Sequence, residues 1–267
     1  MSILRQMLPS LVKMGIRRLR NRREFTGDYL SWSDASNAAN GFDVLQMVDK
    51  VRSAALKVKN GTATFERDSV CFYHEEFRWP LLGSLLQVAV RNEGSLHVAD
   101  FGGSLGSFYF QHRKVLADVK DLKWSVVEQS EYVTAGQEEF QDGTLKFFLT
   151  LDECTERGKI DVALFSGSLQ YLEDPFHFLE RAGALTSCIV IDRTPFIEDE
   201  KDRIAIQSPA LIYSGSHPHR FFAKEKFDRF MNQLGFTVFA EWAGFDEADI
   251  DSEYRGRIYD FHASKRS

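Results

Sequence analysis

The stretch VADFGGSLGSFYF, residues 98–110, decides the fold. An apolar run ends at Asp100, a turn with three glycines follows, and apolar spacing then resumes. This order predicts a strand, a tight turn and a helix. Glycines let such a turn adopt positive φ and let a ligand approach the main chain, and the helix N-terminus presents unpaired N–H groups. The turn therefore predicts a ligand site, with an ordinary strand-to-helix junction as the alternative.

Strand-like and helix-like apolar spacings alternate from residue 96 onward. The predicted strands cover residues 96–101, 124–127, 145–149, 161–165 and 188–191, and the predicted helices between them cover residues 106–119, 130–140 and 175–185. After a long irregular segment, a helix at 223–234 precedes two closing strands at 236–242 and 257–262. This alternation predicts an α/β fold, namely a doubly wound, seven-stranded, mostly parallel sheet that ends in an antiparallel pair.

Charge is distributed unevenly along the chain. The whole chain carries −6, whereas residues 1–24 hold seven basic residues and one acidic residue, so the remaining residues carry −12. Helical apolar spacing predicts a basic amphipathic helix at residues 1–24 and a helical cover or lid at residues 25–93. The Rossmann-like domain is predicted over residues 94–267. The acidic body argues against a nucleic-acid partner.

The three cysteines, Cys71, Cys154 and Cys188, form no Cys-x-x-Cys pair. They fit a reducing compartment and argue against a metal site. No apolar run has the length of a membrane span, which predicts a cytoplasmic protein. A basic amphipathic helix can lie on an anionic membrane surface. For residues 1–24 the sequence favours a helix that is packed on the domain or partly disordered, with peripheral membrane contact as the alternative.

Polar residues follow several predicted strands, where ligands bind in a doubly wound sheet. Asp100 lies beside the glycine turn, and Glu128 lies near the end of WSVVEQ, residues 124–129. A carboxylate at the second position can accept both ribose hydroxyls of a nucleoside ligand. After the third strand, Thr150 and Asp152 suit either an adenine edge or a helix cap. After the fourth strand, residues 166–168 predict a polar bend.

Six sequence motifs, taken in their order along the chain, resemble those of a known protein family. They are FTGDYLSW (25–32), FERDSVCF (65–72), DFGGSLGSFY (100–109), WSVVEQ (124–129), LQYLEDP (169–175) and IDRTP (191–195). Together they closely resemble a family of bacterial methyltransferases associated with surface-polysaccharide biosynthesis, over residues 25–222. The resemblance implies a class I methyltransferase fold with S-adenosylmethionine as the methyl donor. The resemblance says little about the acceptor, for which the leading hypothesis is a hydroxyl of a sugar or lipid-linked glycan.

The resemblance further implies where the cofactor binds. The glycine turn would hold its methionine part, Asp100 its amino end and Glu128 its ribose, with the bend at residues 166–168 under the sulfonium. The implied cofactor-binding residues are Asp100, Gly102, Gly103, Ser104, Gly106, Glu128, Gln129, Leu151, Ser166, Gly167 and Ser168.

Two positions depart from the family pattern. Ser104 stands where class I methyltransferases often have a glycine, which is tolerated if its φ is negative. His217 and His219 stand where aromatic residues are expected. Asp192, after the fifth predicted strand, and His217 are the candidate catalytic residues that would activate the acceptor. For His217, a structural or exposed loop is the alternative.

Two other functions fit parts of the sequence. An NAD-dependent oxidoreductase fits less well, because GGSLGS lacks the Gly-x-Gly-x-x-Gly order. A catalytically silent methyltransferase-like module that docks partners of a polysaccharide assembly is favoured by the absence of a familiar catalytic motif after the fourth strand.

Removal of residues 1–23 tests the predicted membrane contact. If the basic helix binds membrane, the full chain should sediment with anionic liposomes and the truncated chain should stay in the supernatant, because the basic residues that attract anionic lipid are gone. Equal sedimentation of both chains would reject the role. Neutral liposomes serve as the control for the electrostatic contribution.

Overall fold

The computed structural model describes residues 24–208, 215–246 and 251–261. Apart from Glu24, the predicted basic helix lies outside these ranges. The described residues divide into two units. The first contains residues 24–43, 203–208 and 215–220, and the second contains residues 44–202, 221–246 and 251–261. This division differs from the predicted boundaries at residues 24 and 93.

The strands, in chain order, are β1 (Glu24–Tyr29), β2 (Gly41–Phe42), β3 (Phe65–Arg67), β4 (Val70–Phe72), β5 (Ser95–Phe101), β6 (Asp121–Val127), β7 (Leu145–Phe148), β8 (Val162–Ser166), β9 (Cys188–Ile197), β10 (Arg203–Ser208), β11 (Gly215–Ala223), β12 (Phe236–Ala243) and β13 (Glu253–Phe261). The helices are α1 (Trp32–Ala38), α2 (Val44–Lys59), α3 (Trp79–Arg91), α4 (Ser107–Leu116), α5 (Ser130–Glu139), α6 (Leu151–Cys154), α7 (Pro175–Leu185) and α8 (Lys224–Gln233).

The second unit contains a mostly parallel central sheet. Strands β7, β6, β5, β8 and β9 lie side by side in that order, and each neighbouring pair is parallel. Strand β13 pairs antiparallel with β9, and β12 pairs antiparallel with β13. The chain moves outward from β5 in one direction through β6 and β7, and in the other through β8 and β9. The predicted doubly wound α/β architecture is therefore confirmed.

Alternation along the strands divides the core of the second unit into two layers. Val98 packs in one buried cluster with residues of α2, α3, α4 and α5, whereas its neighbour Ala99 packs in the other with residues of α6, α7 and α8. Successive side chains of a strand point to opposite faces of a sheet. Helices therefore cover both faces of the sheet and leave the carboxyl ends of its parallel strands for a ligand.

Helix starts in this unit follow ordinary capping chemistry. The Asp174 carboxylate accepts a hydrogen bond from the His177 N–H at the start of α7, and Pro175 occupies the first helical position. The Thr150 hydroxyl accepts one from the Glu153 N–H at the start of α6. Both arrangements satisfy a backbone donor that the helix cannot satisfy itself. The capping alternative for Thr150 is thus the one observed.

Several strands were missed in the sequence. Residues 25–93 contain helices α1 to α3, but also β1, β2 and the hairpin of β3 and β4. The segment predicted to be irregular contains the end of β9, β10 and β11. Phe222 and Ala223 of β11 pair in parallel with Phe196 and Ile197 of β9, so the sheet includes more than the predicted strands. Prolines at positions 195 and 218 lie within these strands, and proline normally argues against a strand.

The first unit is a small packed layer. Strand β1 pairs antiparallel with β10, and β2 pairs antiparallel with β11 at Gly215 and Ser216. Helix α1 packs Ala35 against Ile204 and Ile206. In the described ranges of both units, no helix combines the length and apolar character needed to cross a bilayer.

Substitution of Phe227 tests the core of the second unit. Phe227 is fully buried, with its ring centroid 5.2 Å from that of Phe196 and 5.3 Å from that of Phe222. Phe227→Ala should lower the free energy of unfolding by about 3–5 kcal/mol, because a large cavity is left. Urea denaturation measures the loss. The exposed Phe239 gives the control, since Phe239→Ala should change stability by less than about 1 kcal/mol.

Candidate functional site

The turn between β5 and α4 contains three left-handed residues. The φ angle is 73° at Gly102, 56° at Ser104 and 84° at Gly106. Glycine adopts such values without strain, whereas the Cβ of Ser104 makes this conformation unfavourable. The condition under which serine would be tolerated here without strain, a negative φ, is therefore not met. Backbone strain of this kind, of order 1–3 kcal/mol, clusters at functional sites.

Two glycines of the turn are required by close neighbours. A Cβ on Gly103 would lie 2.5 Å from Oδ2 of Asp100, and a Cβ on Gly102 would lie 2.6 Å from Cβ of Ser168. Non-bonded atoms do not approach so closely without displacement. The turn therefore lies directly against the end of β5 and against the bend after β8. Three segments that the sequence assigned to one site are brought together here.

Asp100 is a buried carboxyl group beneath the turn. Only 2% of its surface is exposed, and Nε1 of Trp124 donates a hydrogen bond to its Oδ2 at 3.0 Å. Burial raises the pKa of Asp100 to about 7, and the nearby Glu128 carboxylate acts in the same direction. Desolvation disfavours the charged form of an acid. Asp100 therefore titrates close to neutral pH.

Glu128 reaches the same turn from the end of β6. Its Oε1 accepts a hydrogen bond from the Ser104 N–H at 3.1 Å, and its Oε2 accepts one from the Gln129 N–H at 3.0 Å. Burial raises the pKa of Glu128 above its ordinary value. Gln129 itself is exposed and precedes the first residue of α5. The carboxylate thus joins two neighbouring strand ends.

The bend after β8 joins the turn to Asp192 in the middle of β9. The Gly167 N–H donates to the Asp192 carbonyl oxygen at 2.9 Å, and the Ser166 hydroxyl donates to Asp192 Oδ2 at 3.4 Å. The Ser168 side chain is about nine-tenths buried, and its Oγ has no hydrogen-bond partner among the described residues. A buried hydroxyl without a partner is unfavourable. The bend beside Gly102 therefore has the character of a ligand contact.

Asp192 is fully buried at the end of the site. Nη2 of Arg78 donates to its Oδ2 at 2.9 Å, and Nε1 of Trp242 donates to its Oδ1 at 2.9 Å. Both carboxylate oxygens are therefore engaged by protein donors. The geometry makes Asp192 an anchor for these two side chains, and its role as a catalytic residue stays a prediction.

A cluster of three arginines around Phe245 was missed in the sequence. The guanidinium carbons of Arg67, Arg78 and Arg193 lie 4.4, 3.7 and 5.0 Å from the ring centroid of Phe245. Arg193 also forms a two-point ion pair with the Asp246 carboxylate, at 2.9 and 3.0 Å. The contributing residues are far apart in the chain, and only their charge marks them in the sequence.

A second missed feature is the hairpin of β3 and β4. Its tip residues Asp68 and Ser69 have φ of 51° and 66°. Glu66 is 4% exposed, and its carboxylate accepts hydrogen bonds from the Ser107 hydroxyl and from the Ser69 N–H. Burial raises the pKa of Glu66. Ser107 is the first residue of α4, so the hairpin contacts the end of the glycine turn.

The remaining predicted contacts lie after β7. Leu151 is buried and packs in the same cluster as Ala99 and Val127. The Asp152 carboxylate forms an ion pair with Arg181. Leu151 therefore belongs to the buried core beside the strand ends. The Asp152 carboxylate already has an ion-pair partner in the protein.

The two histidines of the His-Pro-His segment lie in the first unit. Nδ1 of His217 donates to the Pro218 carbonyl oxygen at 2.6 Å, and its ring lies edge-on to Trp32 at 6.1 Å. His219 is fully buried, with its ring 4.7 Å from that of Phe25. Both rings thus have packing roles in this layer, and the catalytic role of His217 stays a prediction. No group of three potential metal ligands occurs in the described part of the chain.

Some solved protein structures are distantly similar to this chain. No protein-family model matches the chain, and no curated protein matches it. The N-terminal domain of EvdMO1, solved in the presence of S-adenosylhomocysteine and D-fucose, is 12% identical, with a TM-score of 0.49 over 80% of this chain and 97% of that domain.

Two further solved structures have lower scores. 1,6-Didemethyltoxoflavin-N1-methyltransferase of Burkholderia thailandensis, with bound S-adenosylhomocysteine, is 14% identical, with a TM-score of 0.45 over 81% of this chain and 89% of that one. Magnesium protoporphyrin IX methyltransferase of Synechocystis, with bound S-adenosylmethionine, is 11% identical, with a TM-score of 0.43 over 68% and 78%. Because these TM-scores are below 0.5, the likenesses carry no argument, and the fold described above rests on the strand order of this chain alone.

Asp100→Asn tests the buried carboxyl group. Because the pKa of Asp100 is raised in the folded state, folded protein binds more protons than unfolded protein between about pH 4 and 7, and stability falls as pH rises through that window. One such group contributes a slope of up to about 1.4 kcal/mol per pH unit. Asp100→Asn should lose this pH-dependent contribution to stability, while its amide oxygen can still accept the Trp124 hydrogen bond. Urea denaturation from pH 4.5 to 8 measures how the free energy of unfolding of each protein changes with pH. The same pH dependence in the wild-type chain and the variant would contradict the raised pKa of Asp100.

Proposed function

We propose that this chain is an S-adenosylmethionine-dependent methyltransferase whose acceptor is a hydroxyl of a sugar or lipid-linked glycan. The observation that carries the cofactor proposal is the glycine turn of β5. Gly102 and Gly103 have no room for a Cβ, two carboxylates lie below and beside the turn, and the buried Ser168 hydroxyl has no partner among the described residues. Polar groups at the carboxyl ends of parallel strands, where the chain reverses its direction across the sheet, are where a nucleoside ligand binds.

The residues present fit this cofactor. Glu128 follows the strand next to β5 and could accept the ribose hydroxyls, while Gln129 and Leu151 would border the base. Gly102, Gly103, Ser104 and Gly106 would shape the methionine pocket. Asp100 would act on the amino end from beneath the turn, through the main chain or water, since Trp124 already occupies one of its oxygens. Ser166, Gly167 and Ser168 would line the sulfonium side.

When bound, this cofactor supplies a methyl group on a positively charged sulfur. The protein then has to align the acceptor, exclude water and accept one proton. Alignment alone can supply much of the acceleration in such a displacement. Asp192 and His217 are proposed for acceptor activation, with Asp192 acting by holding Arg78 and Trp242 in place. A silent binding module would bind the cofactor equally well, and it is distinguished by the absence of methyl transfer to any cell-envelope extract.

Calorimetric titration with S-adenosylhomocysteine tests the cofactor proposal. The wild-type chain should bind it, and Glu128→Ala should weaken binding by about tenfold or more, because a charge-assisted hydrogen bond of about 1.5–3 kcal/mol is lost. The exposed Glu131, at the start of α5, gives a matched control in Glu131→Ala. Absence of binding to the wild-type chain, or equal binding by the Glu128 variant, would overturn the proposal. Titration with NAD tests the alternative of an NAD-dependent oxidoreductase, which would bind NAD.

A further inference from the structure

Three arginines that are far apart in the chain meet at one aromatic ring. The guanidinium carbons of Arg67, Arg78 and Arg193 lie within 5.0 Å of the ring centroid of Phe245. Arginine is not deprotonated in proteins, so all three side chains carry a positive charge. Burial lowers the pKa of Arg78 below its ordinary value, and the charges of Arg193 and Arg67 act in the same direction. The guanidinium groups thus repel one another, and an anion bound among them would relieve the repulsion.

The acidic partners of these arginines leave one side of each guanidinium group free. In the described ranges every such acid contacts Nε or Nη2, and the pairs are Arg67 with Glu76, Arg78 with Asp192, and Arg193 with Asp68 and Asp246. Nη1 of each arginine has no hydrogen-bond partner among the described residues. Because each Nη1 carries two N–H groups, the cluster offers several donors that the protein itself does not use.

The arginines are more accessible than the acids buried with them. Between 14% and 20% of each arginine side chain is exposed, whereas the side chains of Asp192 and Asp246 are 0% and 7% exposed. The other two acids, Glu76 and Asp68, are exposed, and water screens charges of that kind. A ligand that approaches from solvent therefore meets guanidinium N–H groups and the half-exposed ring of Phe245.

Arg193 connects the cluster to the candidate site. Its φ is 53°, and Asp192 and Arg193 together lie opposite the single residue Gly256 of β13, which makes a β-bulge in β9. Bulges of this kind redirect side chains beside functional sites. The redirected side chain lies over the bend after β8, where a Cβ on Gly167 would lie 3.4 Å from Nη1. The next residue of the bend is Ser168, whose buried hydroxyl has no partner among the described residues.

We propose that Arg67, Arg78 and Arg193 bind an acidic group of the acceptor, a carboxylate or phosphate carried by the sugar or glycan, through their Nη1 groups. This inference rests on the proposed function, which it narrows from any sugar or glycan to an acidic one. The planar guanidinium group matches the geometry of carboxylate and phosphate oxygens. These oxygens only accept hydrogen bonds, so they use the free donors and offset the repulsion between the arginines. Binding at Nη1 of Arg193 would hold the acceptor beside the bend proposed for the sulfonium side of the cofactor.

Three sugar probes test whether the cluster binds an acid. Glucuronate carries a carboxylate, glucose-1-phosphate carries a phosphate, and glucose carries neither. In calorimetric titrations of the full chain, with and without saturating S-adenosylhomocysteine, at least one acidic sugar should bind about tenfold or more tightly than glucose, because charge-assisted hydrogen bonds are gained. Equal affinity for both acidic sugars would assign a general oxyanion site, and preference for one would identify the acid that the cluster takes.

Arg67→Gln removes one charge and one Nη1 group from the cluster. Its partner Glu76 is exposed, so the substitution leaves no buried carboxylate without a partner. The preference for acidic sugars over glucose should fall by about fivefold or more. Arg229 gives the matched control, because it is exposed on α8 and pairs with the exposed Glu225. Arg229→Gln changes the net charge equally and should leave the preference unchanged.

Arg193→Lys separates the Nη1 contact from charge. Lysine keeps a positive charge beside Asp246 but has no Nη1 group, so affinity for the acidic sugars should fall while affinity for glucose stays the same. Unchanged affinities in Arg193→Lys would contradict the proposal, and Arg67→Gln still tests it if Arg193→Lys does not fold.

Three results would overturn the inference. They are equal binding of acidic sugars and glucose by the wild-type chain, a preference that persists in Arg67→Gln, and an equal loss of preference in Arg229→Gln. Failure of the wild-type chain to bind S-adenosylhomocysteine would instead reject the proposed function. The titrations made without that ligand would then still decide whether the arginines bind an acid.

Discussion

The burial of the Asp100 carboxyl group beneath Gly103 is the contact on which the candidate site depends. The carboxyl occupies the space that any side chain at position 103 would need, and Trp124 holds it from the neighbouring strand. The turn can therefore follow only one path over the end of β5. That path brings the Ser104 N–H to Glu128 and places Gly102 against Ser168. One desolvated acid thus fixes the positions of three strand ends.

Beyond this contact, the site is organised by charge. The acids near the glycine turn lack arginine partners among the described residues, whereas Asp192 and Asp246 have them. Asp192 engages Arg78 and Trp242, Asp246 engages Arg193, and both guanidinium groups lie against the ring of Phe245. The second region is therefore cross-linked by ion pairs and hydrogen bonds between its side chains. Both regions contain acidic residues, and they differ in whether those acids form ion pairs with arginine.

Periodicity made most of the second unit predictable. Strands with buried, β-branched or aromatic residues alternate with helices of 3.6-residue spacing, so the predicted boundaries of β5 to β8 and of α5 and α7 lie within a few residues of those observed. Asp100, Glu128 and residues 166–168 were found because they follow strands. The hairpin was missed because its strands have three residues each and its turn has positive φ without glycine. Glu66 was missed with it, since its burial arises only from tertiary packing.

The hairpin also has a consequence for the order in which the chain assembles. Glu66 is tied to Ser107, 41 residues later, and Asp68 contacts Arg193, 125 residues later. Contacts of such long sequence separation form slowly, because a long loop must close first. During synthesis, the hairpin and the glycine turn emerge well before Arg193. The contact between the hairpin and the glycine turn can therefore form on the nascent chain before the contact with Arg193 exists.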